Sequence, residues 1–110
     1  MTYSPENFGE LKTHFAAATE HDEAGRRYIR LPALSFPCNG SVETADALLC
    51  PGEHSGYSTR LFLDRPFPHK GQNWTTHSIL GRQWHTPSFN NISADLPLMA
   101  ILANHLRALL

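Results

Sequence analysis

Apolar and polar positions alternate along this chain with two different periods, and the change of period divides it into segments. From Ser4 to about Glu20 the apolar residues Phe8, Leu11, Phe15 and Ala18 recur at helical spacing, with Glu6, Glu10, Lys12 and Glu20 opposite. Ser4 is a capping residue and Pro5 suits a first helical position, so the pattern predicts a surface helix with one buried face. His21 to Arg27 is polar and contains a glycine, which predicts a turn. Tyr28 to Leu34 then alternates with period two, as a strand does. Pro32 cannot donate to a ladder, so that strand is expected to be an edge at that point.

Phe36 to Ser41 is turn chemistry. Val42 to Cys50 reads as a second strand, although Ala45-Asp46-Ala47 suits a helix equally well. Pro51 to Ser58 is a loop, Thr59 to Asp64 a third strand, and Asp64 to Lys70, with its prolines, irregular chain. Ala94 to Leu109 predicts a helix in which Ser93 or Asp95 caps and Pro97 falls in the first turn. Leu98, Ile101, Leu102, His105 and Leu109 form one stripe; Leu96, Met99, Ala103, Leu106 and Leu110 form another. The width of that surface predicts burial on more than one side. Strands grouped between two helices argue for an α+β fold.

Composition narrows the partners. At 110 residues the chain is expected to form one domain with one modest core. No apolar run approaches the ~20 residues that span a bilayer, and the N-terminus lacks a secretory pattern. Net charge is −1, and only Arg26, Arg27 and Arg30 come near one another, as a solvated turn and strand end. Neither nucleic acid nor membrane is therefore expected as a partner. Cys38 and Cys50 form no disulfide framework and no CxxC pair, which fits a reducing cytoplasmic setting. Seven histidines include no ligand motif, and neither metal nor cofactor is expected.

Chemistry-bearing residues concentrate in Trp74 to Pro87, WTTHSILGRQWHTP. It holds both tryptophans, His77 and His85, and the hydroxyls Thr75, Thr76 and Ser78. Adjacent residues on a strand point to opposite faces. Thr76 and Ser78 can therefore share a face that His77 does not. A hydroxyl nucleophile needs a base and an oxyanion donor. His77, His85 or His69 could be the base, and Asn73 or Gln83 the donor. The tryptophans are expected to be anchors of the core.

The order of these motifs resembles the ubiquitin-conjugating-enzyme (UBC-like) superfamily, above all its small divergent prokaryotic members of family E. The likeness is carried by Gly56-Tyr57, the strand Thr59 to Leu63, the loop Pro66 to Asn73, Ile79-Leu80, Trp84 to Pro87 and the helix from Ala94. It covers most of the chain from Tyr28 onward, with Leu48 to Gly52 and Asp64-Pro66 also similar in style. The resemblance implies a UBC-like fold: an N-terminal helix, an antiparallel β-meander, an active-site-like loop and a buried C-terminal helix. It implies a bacterial factor, part of an antiphage defence system, that takes a ubiquitin-like protein from an adenylating activating enzyme and passes it to a target.

The departures bear on the chemistry. Thr76 stands where the family has its catalytic cysteine, Cys38 and Cys50 lie elsewhere, and the family's His-Pro-Asn triplet is missing. Acyl transfer would then use Thr76 or Ser78 as an oxyester, with His77 or His85 as base. The alternative is a catalytically inert variant that binds the ubiquitin-like protein as an adaptor. A histidine-based hydrolase or metal-binding domain outside this family is a third reading.

Overall fold

A computed structural model describes residues 3–68 and 71–110. Its elements run α1 (Pro5–His14), β1 (Thr19–Glu23), β2 (Arg26–Cys38), β3 (Ser41–Cys50), β4 (Arg60–Leu63), β5 (Trp74–Ile79), β6 (Arg82–Pro87) and α2 (Leu98–Arg107). The strands form one antiparallel sheet in the order β1-β2-β3-β4-β6-β5. The α+β class expected from the sequence is what the chain adopts, with six strands where three were expected.

Helix α1 begins as anticipated. The Ser4 hydroxyl accepts from the Asn7 N–H at 3.1 Å, and Pro5 opens the first turn. It stops at His14, short of the expected Glu20. Phe15 closes the helix, and Thr19–Glu23 is drawn into the sheet as β1. Pairing with β2 outweighs the helical preference of Ala16 to Ala18. The segment His21 to Arg27, expected as a turn alone, is therefore mostly strand. Ala24 and Gly25, both at positive φ (53° and 77°), make the turn between β1 and β2.

β2 is long and contains a register break between Leu31 and Leu34. Ala33, at φ 51°, turns its N–H onto the Asp46 carboxylate at 2.9 Å. The last rung to β1 is Thr19–Arg30, so Pro32 falls beyond it on an open stretch of edge. Asn39-Gly40 turns the chain into β3, whose Ala45, Ala47 and Leu49 alternate as a strand.

The two faces of the sheet are buried differently. Ile29, Leu31, Leu34, Phe36, Ala45, Ala47, Leu49, Leu61 and Leu63 face the helices and pack with Leu11, Leu98, Ile101 and Leu102. Tyr28, Leu48, Cys50, Phe62, Ile79 and Trp84 form a second core on the far face. No helix covers it. Instead the sheet curls over it until its two outer hairpins touch, the Leu80 N–H donating to the Glu23 carboxylate at 3.0 Å and 3.1 Å. The loop between β3 and β4 contributes His54, which is also buried.

Helix α2 starts at Leu98, later than the expected Ala94. Ser93 and Asp95 close a turn ahead of it, and its first N–H is capped from α1, where Asn7 Oδ1 accepts from Leu98 at 3.0 Å. Only its first apolar stripe is deeply buried. Leu96 and Leu110 are exposed and Met99 and Leu106 half-buried, so burial on two sides is not what this helix has. No helix among the described residues is long and apolar enough to cross a membrane.

Candidate functional site

The stretch Trp74 to Pro87, read from the sequence as an irregular active-site edge, is a regular hairpin of β5 and β6. Leu80 and Gly81, at φ 53° and 74°, form its two-residue turn. Its inner strand β6 meets β4 at the Leu63–His85 rung, and β5 is the outer edge of the sheet. Thr76 pairs with His85 and Ser78 with Gln83, and directly opposed residues share a face. Because Leu63 belongs to the helix-side core, these rungs lie on the helix side of the sheet, at its margin.

There the Thr76 hydroxyl lies 3.2 Å from His85 Nδ1, with Thr76 exposed and His85 half-buried. Ser78 accepts from the Gln83 side-chain amide at 3.3 Å. Of the four candidate site residues, Thr76 and His85 thus come together, and Ser78 shares their face with Gln83 as its partner. His77 does not. It pairs with Trp84 on the far face, where its Nε2 lies 3.0 Å from the Thr75 hydroxyl. His69 lies outside the described residues.

A hydroxyl hydrogen-bonded to an imidazole is the minimal arrangement for an activated oxygen nucleophile. The tautomer with a lone pair on Nδ1 lets His85 take the Thr76 proton. His85 makes no hydrogen bond to a carboxylate among the described residues, and Gln83, one expected oxyanion donor, is engaged by Ser78. Both thiols are buried, Cys38 at 3 % exposure and Cys50 at 1 %. Burial raises the pKa of the Cys50 thiol above its ordinary value.

The tryptophans divide between the two cores. Trp84 is enclosed in the far-face cluster and donates its indole N–H to the Ile79 carbonyl at 3.1 Å. Trp74 packs against the helix-side cluster near Phe67, and its buried indole nitrogen has no partner among the described residues. The arginines Arg26, Arg27 and Arg30 each meet a carboxylate: Glu53 at 3.3 Å, Asp22 at 2.6 Å and Asp46 at 3.6 Å.

The far face holds a polar group that the sequence reading passed over. His54 and His77 stand ring to ring, with centroids 5.3 Å apart, beside Phe62 and close to Arg60. His54 Nδ1 is 2.6 Å from the Ser55 hydroxyl. Burial first, then the positive charge of Arg26, lowers the His54 pKa to about 4. Burial and Arg60 lower that of His77. The visible signal was Arg60 itself, a charge within the apolar run RLFL. No group of three or more His, Cys, Asp or Glu among the described residues is placed to hold a metal ion. No family model, curated protein or solved structure matches this chain.

Proposed function

We propose that this chain is a divergent UBC-like domain that accepts the activated C-terminus of a ubiquitin-like protein on Thr76. The observation that carries the reading is the Thr76 Oγ1–His85 Nδ1 contact of 3.2 Å, on an open rung that a folded carrier's tail can reach. The motif order from Gly56-Tyr57 to Trp84–Pro87 and the helix preceding an antiparallel sheet also support it. In the proposed step Thr76 Oγ attacks the activated carboxyl carbon as His85 Nδ1 takes the hydroxyl proton. The activating enzyme's leaving group departs with that proton, and the carrier is held as an oxyester. A target amine then attacks the ester carbonyl carbon, its C–N bond replacing the C–O bond to Thr76, and the proton the amine loses passes to Thr76 Oγ.

A second reading, an inert UBC-like module that binds the carrier without a covalent step, is favoured by the burial of both thiols and by the lack of a carboxylate bonded to His85 among the described residues. One experiment separates the two. The chain is incubated with ATP and with the ubiquitin-like protein and adenylating enzyme of its gene neighbourhood, then resolved under denaturing conditions and weighed intact. Acyl transfer gives an adduct that survives thiol reductant, is cleaved by hydroxylamine, is lost in Thr76→Ala and forms ~10²–10⁴-fold more slowly in His85→Gln. An adduct that persists in the Thr76→Ala, Ser78→Ala double variant sinks that reading. Carrier binding with no adduct selects the inert module, and no binding removes both.

A further inference from the structure

We propose that the far face of the sheet carries a binding site for an oxyanion, a phosphoryl or carboxylate group, built by Arg60 together with His54 and His77. Arg60 lies on β4, opposite Cys50 and on the same face as Phe62, and is only 3 % exposed. Its guanidinium donates to the Pro87 carbonyl at 3.3 Å, while its buried Nε has no acceptor among the described residues. Among the described residues no carboxylate lies within ion-pairing distance of it. By contrast Arg26, Arg27, Arg30, Arg65 and Arg82 all have one. A buried guanidinium without a counter-charge is costly to keep, so this one is a cation in want of an anion.

Two histidines stand beside Arg60, their ring centroids 5.3 Å apart. Each histidine uses one ring nitrogen on a hydroxyl, His54 on Ser55 and His77 on Thr75. The other nitrogen of each makes no hydrogen bond among the described residues. Arg60 is near enough for its charge to help hold both rings neutral. A bound anion reverses that effect and draws protons onto them. The reciprocal backbone bonds between His54 and Tyr57, each 2.9 Å, close a tight turn with Ser55 and Gly56 at positive φ (55° and 85°). The turn sets the Tyr57 ring 4.0 Å from the Arg60 guanidinium carbon. Stacking covers one flat face of the guanidinium, so an oxyanion must meet its N–H groups in their own plane, beside the one held by the Pro87 carbonyl.

The remaining charged and titratable groups around the site do not fill the role. Glu53 accepts from the Gly56 N–H and pairs with Arg26. Glu23 is spent on Leu80, His105 on the helix side is held by the Thr59 hydroxyl, and Tyr28 and Cys50 are buried with their pKa values raised, so both are neutral near pH 7. Binding therefore strengthens as pH falls and the histidines become able to charge. The site faces away from Thr76 and stands independently of acyl transfer.

The test is an NMR titration of the histidine rings at constant ionic strength, with sulfate as a tetrahedral oxyanion, acetate as a carboxylate and chloride as the control. The expected result is a saturable upward shift of the His54 and His77 midpoints beyond any seen in chloride. A response to sulfate assigns a phosphoryl-type ligand, and a response to acetate alone assigns a carboxylate. Arg60→Gln abolishes the shift and Arg60→Lys, which keeps the charge but loses the fork, binds about tenfold more weakly. His77→Gln, at a half-exposed strand position, is also expected to bind about tenfold more weakly and keeps the proposal testable if Arg60 variants do not fold. The proposal is overturned if neither anion exceeds chloride, or if folded Arg60→Gln or His77→Gln binds as the parent does.

Discussion

Acidification should unlock helix α2 through a single residue. His105 is 5 % exposed, and its Nε2 lies 2.9 Å from the Thr59 hydroxyl. That hydroxyl already donates to the Ile92 carbonyl at 3.0 Å, so the imidazole is the donor and carries its proton on Nε2. A second proton would place a charge inside the core with Arg60 nearby. Burial, and then that positive charge, bring the His105 pKa down to about 4 from the ordinary 6.5. The unfolded chain therefore binds the proton more readily than the folded one. Stability is at its full value above pH 6.5 and is lost as pH falls toward 4. The linkage gives a loss of about 2 kcal/mol at pH 5 and about 3 kcal/mol once both states are protonated, a large share of the 5–15 kcal/mol typical of a domain. Urea unfolding followed by tryptophan fluorescence from pH 7.5 to 4.5, in chloride buffer, measures it. His105→Leu removes the titrating group and leaves Thr59 its bond to Ile92. Because His54 titrates in both proteins, the difference between the two curves isolates His105. A flat difference, or an ordinary midpoint for His105 in the folded protein, would refute the reasoning.

Two further outcomes test the cores. Trp84→Phe should cost about 2–3 kcal/mol, because it opens a void among Leu48, Phe62 and Tyr28 and removes the indole bond to the Ile79 carbonyl. Trp74→Phe, which removes an indole N–H that has no partner among the described residues, should cost less than about 1 kcal/mol; equal losses in chemical denaturation would contradict the two-core description. Cys38 and Cys50 should react with an aromatic disulfide reagent at pH 8 only as fast as the protein opens, and at once in urea. A thiol modified rapidly in the folded protein would reopen cysteine chemistry.

The strands legible in the sequence are those whose burial writes a pattern. β3 and β4 are rich in apolar residues, and β2 begins with a clean alternation. β1, TEHDE, has no apolar residue to betray it, since it is an edge whose carboxylates Glu20 and Asp22 are answered by Arg27. The turns differ in the same way. Asn39-Gly40 is a familiar two-residue hairpin pair, whereas Ala24-Gly25 and Leu80-Gly81 put a residue with no turn preference at positive φ. The end of the expected α1, from Phe15 to Glu20, was lost because pairing between strands is invisible to local propensity.

The site was legible through parity and misleading through density. Two-residue alternation correctly divides Thr76 and Ser78 from His77 once β5 is a strand. What no count along the chain could supply is the partner on each side: His85, brought across a hairpin turn to Thr76, and His54, brought by the loop after β3 to His77. The crowding of histidine and hydroxyl between Trp74 and Pro87 is thus the projection onto one strand pair of two clusters on opposite faces. One is an open hydroxyl–imidazole pair that has proton-transfer geometry and no enclosure. The other is an enclosed arginine–histidine group that has charge to bind with and no nucleophile freed for attack, since Ser55 and Thr75 are each tied to an imidazole. Catalysis and recognition, if both occur, are therefore separable by mutation within a single hairpin: Thr76→Ala should leave anion binding intact, and His77→Gln should leave acyl transfer intact.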